Sequence, residues 1–270
     1  MKFDQLVHEF LSAGIHKGDV LAVHSSLSSL GNVEGGAETV IRALQEVVTE
    51  KGGLVMPTHT GNLSCYKKTG YHPARTSCKE ITGIIPDTFW RTEGVVRSIH
   101  PTHSAAAWGD RADWFIEHHS PSTYAFGENT PFHKVALAGG KILLLGVKNT
   151  RNSSIHVAEH LADAIYMKAS YTLPEGTVYL IELYDGSIIE HPITQHIPGC
   201  SKNFDVFDPL LLETHEMRKC MIGPAESFLL DSNRMMKTLA HNIKKQPELV
   251  LCHHTDCSCC TNRRKLLSIL

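Results

Sequence analysis

Hydrophobic positions along the chain recur at two different periods, and the change from one to the other marks out its elements. In residues 3–13, Phe3, Leu6, Val7, Phe10 and Leu11 share one helical face, and Gly14 supplies a stop. Residues 17–24, Lys-Gly-Asp-Val-Leu-Ala-Val-His, read as a turn and a buried strand. A Ser/Gly loop from Ser25 to Gly36 leads into a second helix, in which Ala37, Val40, Ile41, Leu44, Val47 and Val48 return at helical spacing. Gly52 and Gly53 close that helix, and Leu54–Pro57 predicts the next strand. Strand, loop, helix and strand in that order make a βαβ unit, which places the chain in the α/β class. Its strand ends and loops face one edge of the sheet, where ligands collect.

Further along, the polar stretch 62–80 predicts a long loop or lid. The apolar run Ile142–Leu145 ends at Gly146 and hands over to a helix that starts near Ser153 or Ser154, either of which suits an N-cap. Residues 177–193 predict a hairpin turning at Asp185-Gly186. No internal repeat or low-complexity linker interrupts the pattern.

Length and charge narrow the classes. At 270 residues and 42% hydrophobic, the chain is long enough for one full core, which leads us to expect a single domain over 1–251 followed by a Cys/His-rich tail, 252–270. A formal charge of -2 gives a nucleic-acid surface no electrostatic support. Short apolar runs argue against a membrane span or secretory signal, and eight scattered cysteines then fit a reduced, cytoplasmic protein.

Three segments could carry chemistry. The first is the loop His24-Ser-Ser-Leu-Ser-Ser-Leu-Gly31, which places backbone N–H groups and hydroxyls beside a helix start, where an anion is stabilised. It is neither a Walker loop nor a dinucleotide fingerprint, and a serine-rich connector bonded to its own backbone is an equally good reading. The second is Arg97-Ser-Ile-His100-Pro101-Thr-His103-Ser104. Pro101 biases His100 toward extended backbone, so these groups are expected on irregular chain, as donors to a ligand or as ordinary core and surface residues.

The third is His156-Val-Ala-Glu159-His160. Three residues apart on a helix, Glu159 can hold one ring nitrogen of His156 and leave the other free as a base; a surface pair is the plainer alternative. The same letters spell the H-x-x-E-H pattern of a class of zinc peptidases, with His156 and His160 as ligands and Glu226 as a distant third. The tail segment Cys252-His253-His254-Thr-Asp-Cys257-Ser-Cys259-Cys260 could also supply four ligands to zinc, or simply be a mobile, reduced terminus.

Taken in order, Val23–Ala37, Gly52–Thr60, Arg97–Gly109, Phe126–Phe132, Leu143–Val147 and Asn152–Glu159 resemble the aminoglycoside 3-N-acetyltransferase family, the antibiotic acetyltransferases distinct from the GNAT superfamily. The resemblance covers about residues 1 to 250 and stops short of the tail. It implies an α/β fold with a central mixed sheet and flanking helices, acetyl-CoA as donor, and direct transfer to the 3-amino group of a 2-deoxystreptamine aminoglycoside. It also implies His156 and Glu159 as the catalytic pair, a coenzyme A site at Ser25, Ser28, Ser29, Leu30, Gly31, His103 and Ser104, no metal at the active site, and a cleft lined by Thr58, His59, Thr60 and Phe132.

Family members also acetylate other amines. A polycationic acceptor calls for acidic surroundings, yet the lid segment, with Lys67, Lys68 and Arg75, is basic, and the carboxylates at hand in the sequence are Asp205, Asp208 and Glu213. Acetylation of a different amine and a zinc hydrolase built on H-x-x-E-H therefore stand as alternatives.

Overall fold

The computed structural model describes residues 1–60, 70–120, 124–169, 178–192 and 198–268, so the first part of the expected lid, 62–69, lies outside the described residues. Nine strands are defined among them: β1 (Val20–Ser25), β2 (Gly53–Pro57), β3 (Val96–Arg97), β4 (Ala105–Trp108), β5 (Lys141–Leu145), β6 (Val178–Glu182), β7 (Ile188–Pro192), β8 (Met217–Ile222) and β9 (Ala225–Asp231). Seven form one mixed sheet in the order β3-β4-β2-β1-β5-β9-β8. Its centre is parallel: Ala22 of β1 faces Val55 of β2 on one side and Ile142 of β5 on the other. The outer strands run antiparallel, β4 on β2 and β9 on β5.

Helices cover both faces, which is why β1, β2 and β5 read as apolar runs and not as alternating strands. On one face Leu21, Val23, Leu54, Met56, Leu143 and Leu145 pack under α1 (Phe3–Ser12), α2 (Gly36–Val48) and the short helix α4 (Ile84–Phe89), which the exposed turn α3 (Lys79–Thr82) precedes. All six apolar positions assigned to α2 from its spacing are buried. In α1 the stripe is narrower than its spacing predicts, because Leu6 and Phe10 are buried while Leu11 points to solvent.

On the other face Ala22, Val55, Ile142 and Leu144 pack under α5 (Ala112–Ile116), α6 (Pro131–Leu137), α7 (Ser154–Leu161) and α9 (Ser232–Lys245). The remaining helices, α8 (Asp208–Glu213) and α10 (Ser258–Leu267), close the same side. β6 and β7 pair separately as the expected hairpin and enclose the buried Tyr71, whose backbone bonds Leu180 and Glu182.

The tail is not the mobile terminus anticipated as one reading. Residues 258–267 are helical, with Cys259, Cys260 and Arg263 buried, because Cys252, Cys260 and Val250 join the same core as α7 and α9. No helix among the described residues is long and apolar enough to cross a membrane.

Candidate active site

The C-terminal ends of β1, β2 and β5 open into a cleft of about 940 Å³. Its lining comes from His24 and Ser25 at the end of β1 and Ser26–Ser28 beyond it, Pro57 at the end of β2 and His59 beyond it, His103 before β4, Gly146 and Val147 after β5, and Asn152, Ser153 and His156 at the start of α7. This is the edge where a parallel sheet gathers its loops.

Two local devices aim these groups. Gly146 ends β5 with φ +67°, a conformation that disfavours a side chain, and this lets the Ser29 hydroxyl reach the Gly146 carbonyl at 2.9 Å. Helix α7 then begins at Ser154, with Ser153 in the N-cap position and the side chain of Asn152 before it supplying the acceptor. Ser153 already has helical dihedrals and makes no side-chain cap, whereas Asn152 Oδ1 accepts the Ser154 N–H at 3.1 Å. Asn152 is itself held by its Nδ2–H to Asn149 Oδ1 at 2.9 Å.

From that start, His156 and Glu159 meet one turn apart. His156 Nδ1 donates to Glu159 Oε2 at 2.5 Å, and both side chains are buried. Two more donors converge on the other carboxylate oxygen: the Tyr166 hydroxyl at 2.9 Å and Arg263 Nη1 at 3.2 Å. Burial alone would push the Glu159 carboxyl up, but His156, Arg263 and Tyr166 outweigh it and hold it below the usual carboxylate range. Phe126 stacks on the His156 ring at 5.3 Å and Phe204 meets it edge-on at 4.8 Å; with Nδ1 held by Glu159, Nε2 is the ring nitrogen left free on a residue that lines the cleft. An imidazole fixed in one tautomer by an ionised carboxylate is equipped to take a proton from a bound group.

The upper wall is rich in neutral imidazoles. Burial lowers His24 to about 3 and, with repulsion from His156 and His119, His103 also to about 3; His59 is driven well below its ordinary value. The Nε2 atoms of His24 and His59 are buried without a partner, and both residues line the cleft.

A model of the aminoglycoside 3-N-acetyltransferase family matches residues 22–244. The chain belongs to that family. It is 30% identical over 253 residues to aminoglycoside N(3)-acetyltransferase IV of Salmonella sp, covering 92% of this chain and 89% of that enzyme. Among solved structures, a histidine-to-alanine variant of aminoglycoside acetyltransferase AAC(3)-IVa in complex with a gentamicin superposes with a TM-score of 0.81 at 28% identity, over 98% of this chain and 96% of that one. AAC-IIIb, solved as a binary complex with CoASH, shares the fold with a TM-score of 0.75 at 24% identity, over 91% and 97% of the two chains.

Within this acyltransferase family chain, the residues expected at the coenzyme site divide. Ser25, Ser28, Gly31 and His103 line the cleft. Leu30 does not, because its side chain is core, and Ser29 is spent on the Ser26 hydroxyl and the Gly146 carbonyl. Ser104 is fully buried, donating to the Thr58 carbonyl at 2.7 Å and accepting from Arg97 Nε at 3.2 Å. Arg97 also bonds the Thr58 and Thr76 carbonyls, at 2.9 and 2.7 Å, so Ser104 and Thr58 belong to the buttress behind the cleft. Of the residues expected to line the cleft, His59 lines it, while Phe132 is buried and stacked on His24 at 5.6 Å.

The H-x-x-E-H metal arrangement does not form. His156 gives Nδ1 to Glu159, His160 packs on Tyr124 at 4.7 Å, and Glu226 pairs with Lys219 on the neighbouring strand. Among the described residues the single group able to gather a metal is elsewhere, at Cys200, Cys252, Cys257 and Cys260.

Sequence reasoning placed His24 at the head of the Ser/Gly loop without giving it a role of its own, and missed Tyr166 and Arg263, which reach Glu159 only through tertiary structure.

Proposed function

We propose that this chain is an acetyl-CoA-dependent N-acetyltransferase acting on an amino group of an aminoglycoside, the 3-amino group of the 2-deoxystreptamine ring. The observation that carries this reading is the His156–Glu159 pair, its free nitrogen at the cleft where β1, β2 and β5 end, in a chain of this family. The gentamicin complex of the related AAC(3)-IVa supports the acceptor class, and the coenzyme A site follows from the resemblance of the Ser25–Gly31 loop and the His103 corner to the family pattern.

In this mechanism His156 takes a proton from the acceptor ammonium, directly or through water, and Glu159 stabilises the imidazolium that forms. The free amine attacks the thioester carbonyl, the C–S bond breaks, and the coenzyme leaves as a thiolate that recovers a proton. Negative charge on the carbonyl oxygen needs donors. The N–H groups of Leu27 and Ser28, at the mouth of the loop, have no backbone acceptor among the described residues and are suited to the task. Lys79 and Arg151 at the rim bring positive charge for the coenzyme phosphates. Direct transfer through a ternary complex is the route taken in this reading, and it is supported by the lack of a cysteine in the cleft lining among the described residues.

A second acceptor class, a less cationic amine, is favoured by one observation. Asp205, Asp208 and Glu213 do not line the cleft, where Glu80 is the carboxylate beside Lys79 and Arg151. Thiol release from acetyl-CoA against a panel of aminoglycosides and simple amines tests both readings, with the acetylated position located by NMR. Turnover with 2-deoxystreptamine compounds supports the first; turnover with simple amines alone selects the second; no thiol release with any amine would refute acetyl transfer.

A further inference from the structure

The four thiols gathered behind the active site are built from two distant parts of the chain. Cys252 and the Cys257/Cys260 pair come from the tail, whereas Cys200 follows Pro198-Gly199 at the cleft wall. Their sulfurs all lie within 4.8 Å of one another, and Cys252 and Cys260 are buried. The Cys200 and Cys252 sulfurs are 3.7 Å apart. A tetrahedral ion with Zn–S bonds of about 2.3 Å places its sulfurs roughly 3.8 Å apart, so this separation is the edge of a tetrathiolate.

The backbone around the thiols suits thiolates. Cys257 and Cys260 stand three apart across the first turn of α10, on one face and beside the unpaired N–H groups of the helix start. The Lys202 N–H points at the Cys200 sulfur at 3.4 Å. Arg264 holds the Cys252 segment through the Leu251 and Cys252 carbonyls, at 3.0 and 2.7 Å, and brings a positive charge beside the cluster. Cys259, between the pair, faces away and is not part of the group, and His253 and His254 are exposed.

We infer that Cys200, Cys252, Cys257 and Cys260 bind one thiophilic divalent cation, zinc by its chemistry, as a clamp that fastens α10 to the wall of the cleft. All four ligands are protein thiols, so no position remains for a substrate or water, and the ion is structural. What the clamp delivers is Arg263. It lies one turn after Cys260 on α10, is fully buried, donates to Glu159 and packs its guanidinium 4.7 Å over the Tyr166 ring. Gly199, adjacent to Cys200, leaves the space that the guanidinium fills, since a Cβ there would overlap it.

Elemental analysis of the full chain, purified under reducing conditions without chelator, tests the inference independently of catalysis. About one zinc per chain is expected, released stoichiometrically by an organomercurial, and cobalt exchange should produce the visible and near-ultraviolet bands of a tetrahedral tetrathiolate. Cys200→Ser and Cys257→Ser should each reduce the metal content several-fold and expose α10 to hydrogen exchange. Cys259→Ser, in the same helix, should leave metal content unchanged. Metal-free protein with four titratable thiols or a Cys200–Cys252 disulfide, or metal retained undiminished in both Ser variants, would overturn the assignment.

Discussion

Arg263 and Glu159, 104 residues apart in sequence, meet at 3.2 Å with neither side chain accessible to solvent. Taking two such charges out of water costs several kcal/mol, and this pair offsets the cost only because Tyr166 and His156 complete the hydrogen bonding of the carboxylate. The carboxylate thus serves two partners at once: it orients His156 toward the cleft and neutralises Arg263 on the tail.

Glu159→Gln separates those two services from simple packing. The amide keeps the shape but not the charge, so the His156 tautomer is no longer fixed and Arg263 is left as an unpaired buried cation. We expect kcat to fall by roughly 10²- to 10⁴-fold, and stability by about 3 kcal/mol. KM for acetyl-CoA should move little. Steady-state kinetics and urea denaturation of the same preparation check both halves.

Gly199→Ala should disturb the same pair from the other side. The added methyl overlaps the guanidinium of the fully buried Arg263, so the side chain, α10 or the cleft wall must shift. A loss of about 1–3 kcal/mol, together with reduced turnover, is expected from thermal unfolding and the acetyl-transfer assay.

Acid should destabilise the fold well above the pH at which carboxylates titrate. His24, His103 and His119 are lowered to about 3, and His59 and His100 lie well below their ordinary value, in each case chiefly through burial. Unfolding frees these imidazoles to take up protons near pH 6.5, so the unfolded chain binds more protons than the folded one between that value and about 3. The stabilisation from keeping them neutral is therefore complete above pH 6.5 and drains away as pH falls. Each histidine contributes roughly 1.4 kcal/mol per pH unit within the window. Denaturation at pH 7.5, 6.5, 5.5 and 5.0 should give a falling midpoint; a flat profile would contradict the burial.

The parts of this architecture that rest on local spacing were legible in the sequence. Helix α2 and strands β1, β2 and β5 follow from periodicity, and the His156–Glu159 contact follows from one helical turn. What escaped was set by packing between distant segments. Ser104 looks like a ligand contact beside His103, yet successive residues entering a strand face opposite ways, and Ser104 turns toward Arg97. The tail shows the same limit: its cysteine spacing was visible, but the fourth thiol, Cys200, lies 52 residues before Cys252 and carries no spacing signal. The start of α7 lies where the two serines place it, with Ser153 at the N-cap and Ser154 as first helical residue, but the side chain that accepts an N–H there is that of Asn152, one residue earlier.

The central claim is that His156, held by Glu159, is the base for acetyl transfer. Its most direct test compares wild-type protein with His156→Ala for thiol release from acetyl-CoA in the presence of a 2-deoxystreptamine aminoglycoside, with coenzyme A binding measured by calorimetry on both. The account predicts that turnover in the variant drops by at least roughly 10²-fold while coenzyme A binds with near-unchanged affinity. Turnover within a few-fold of wild type would contradict it.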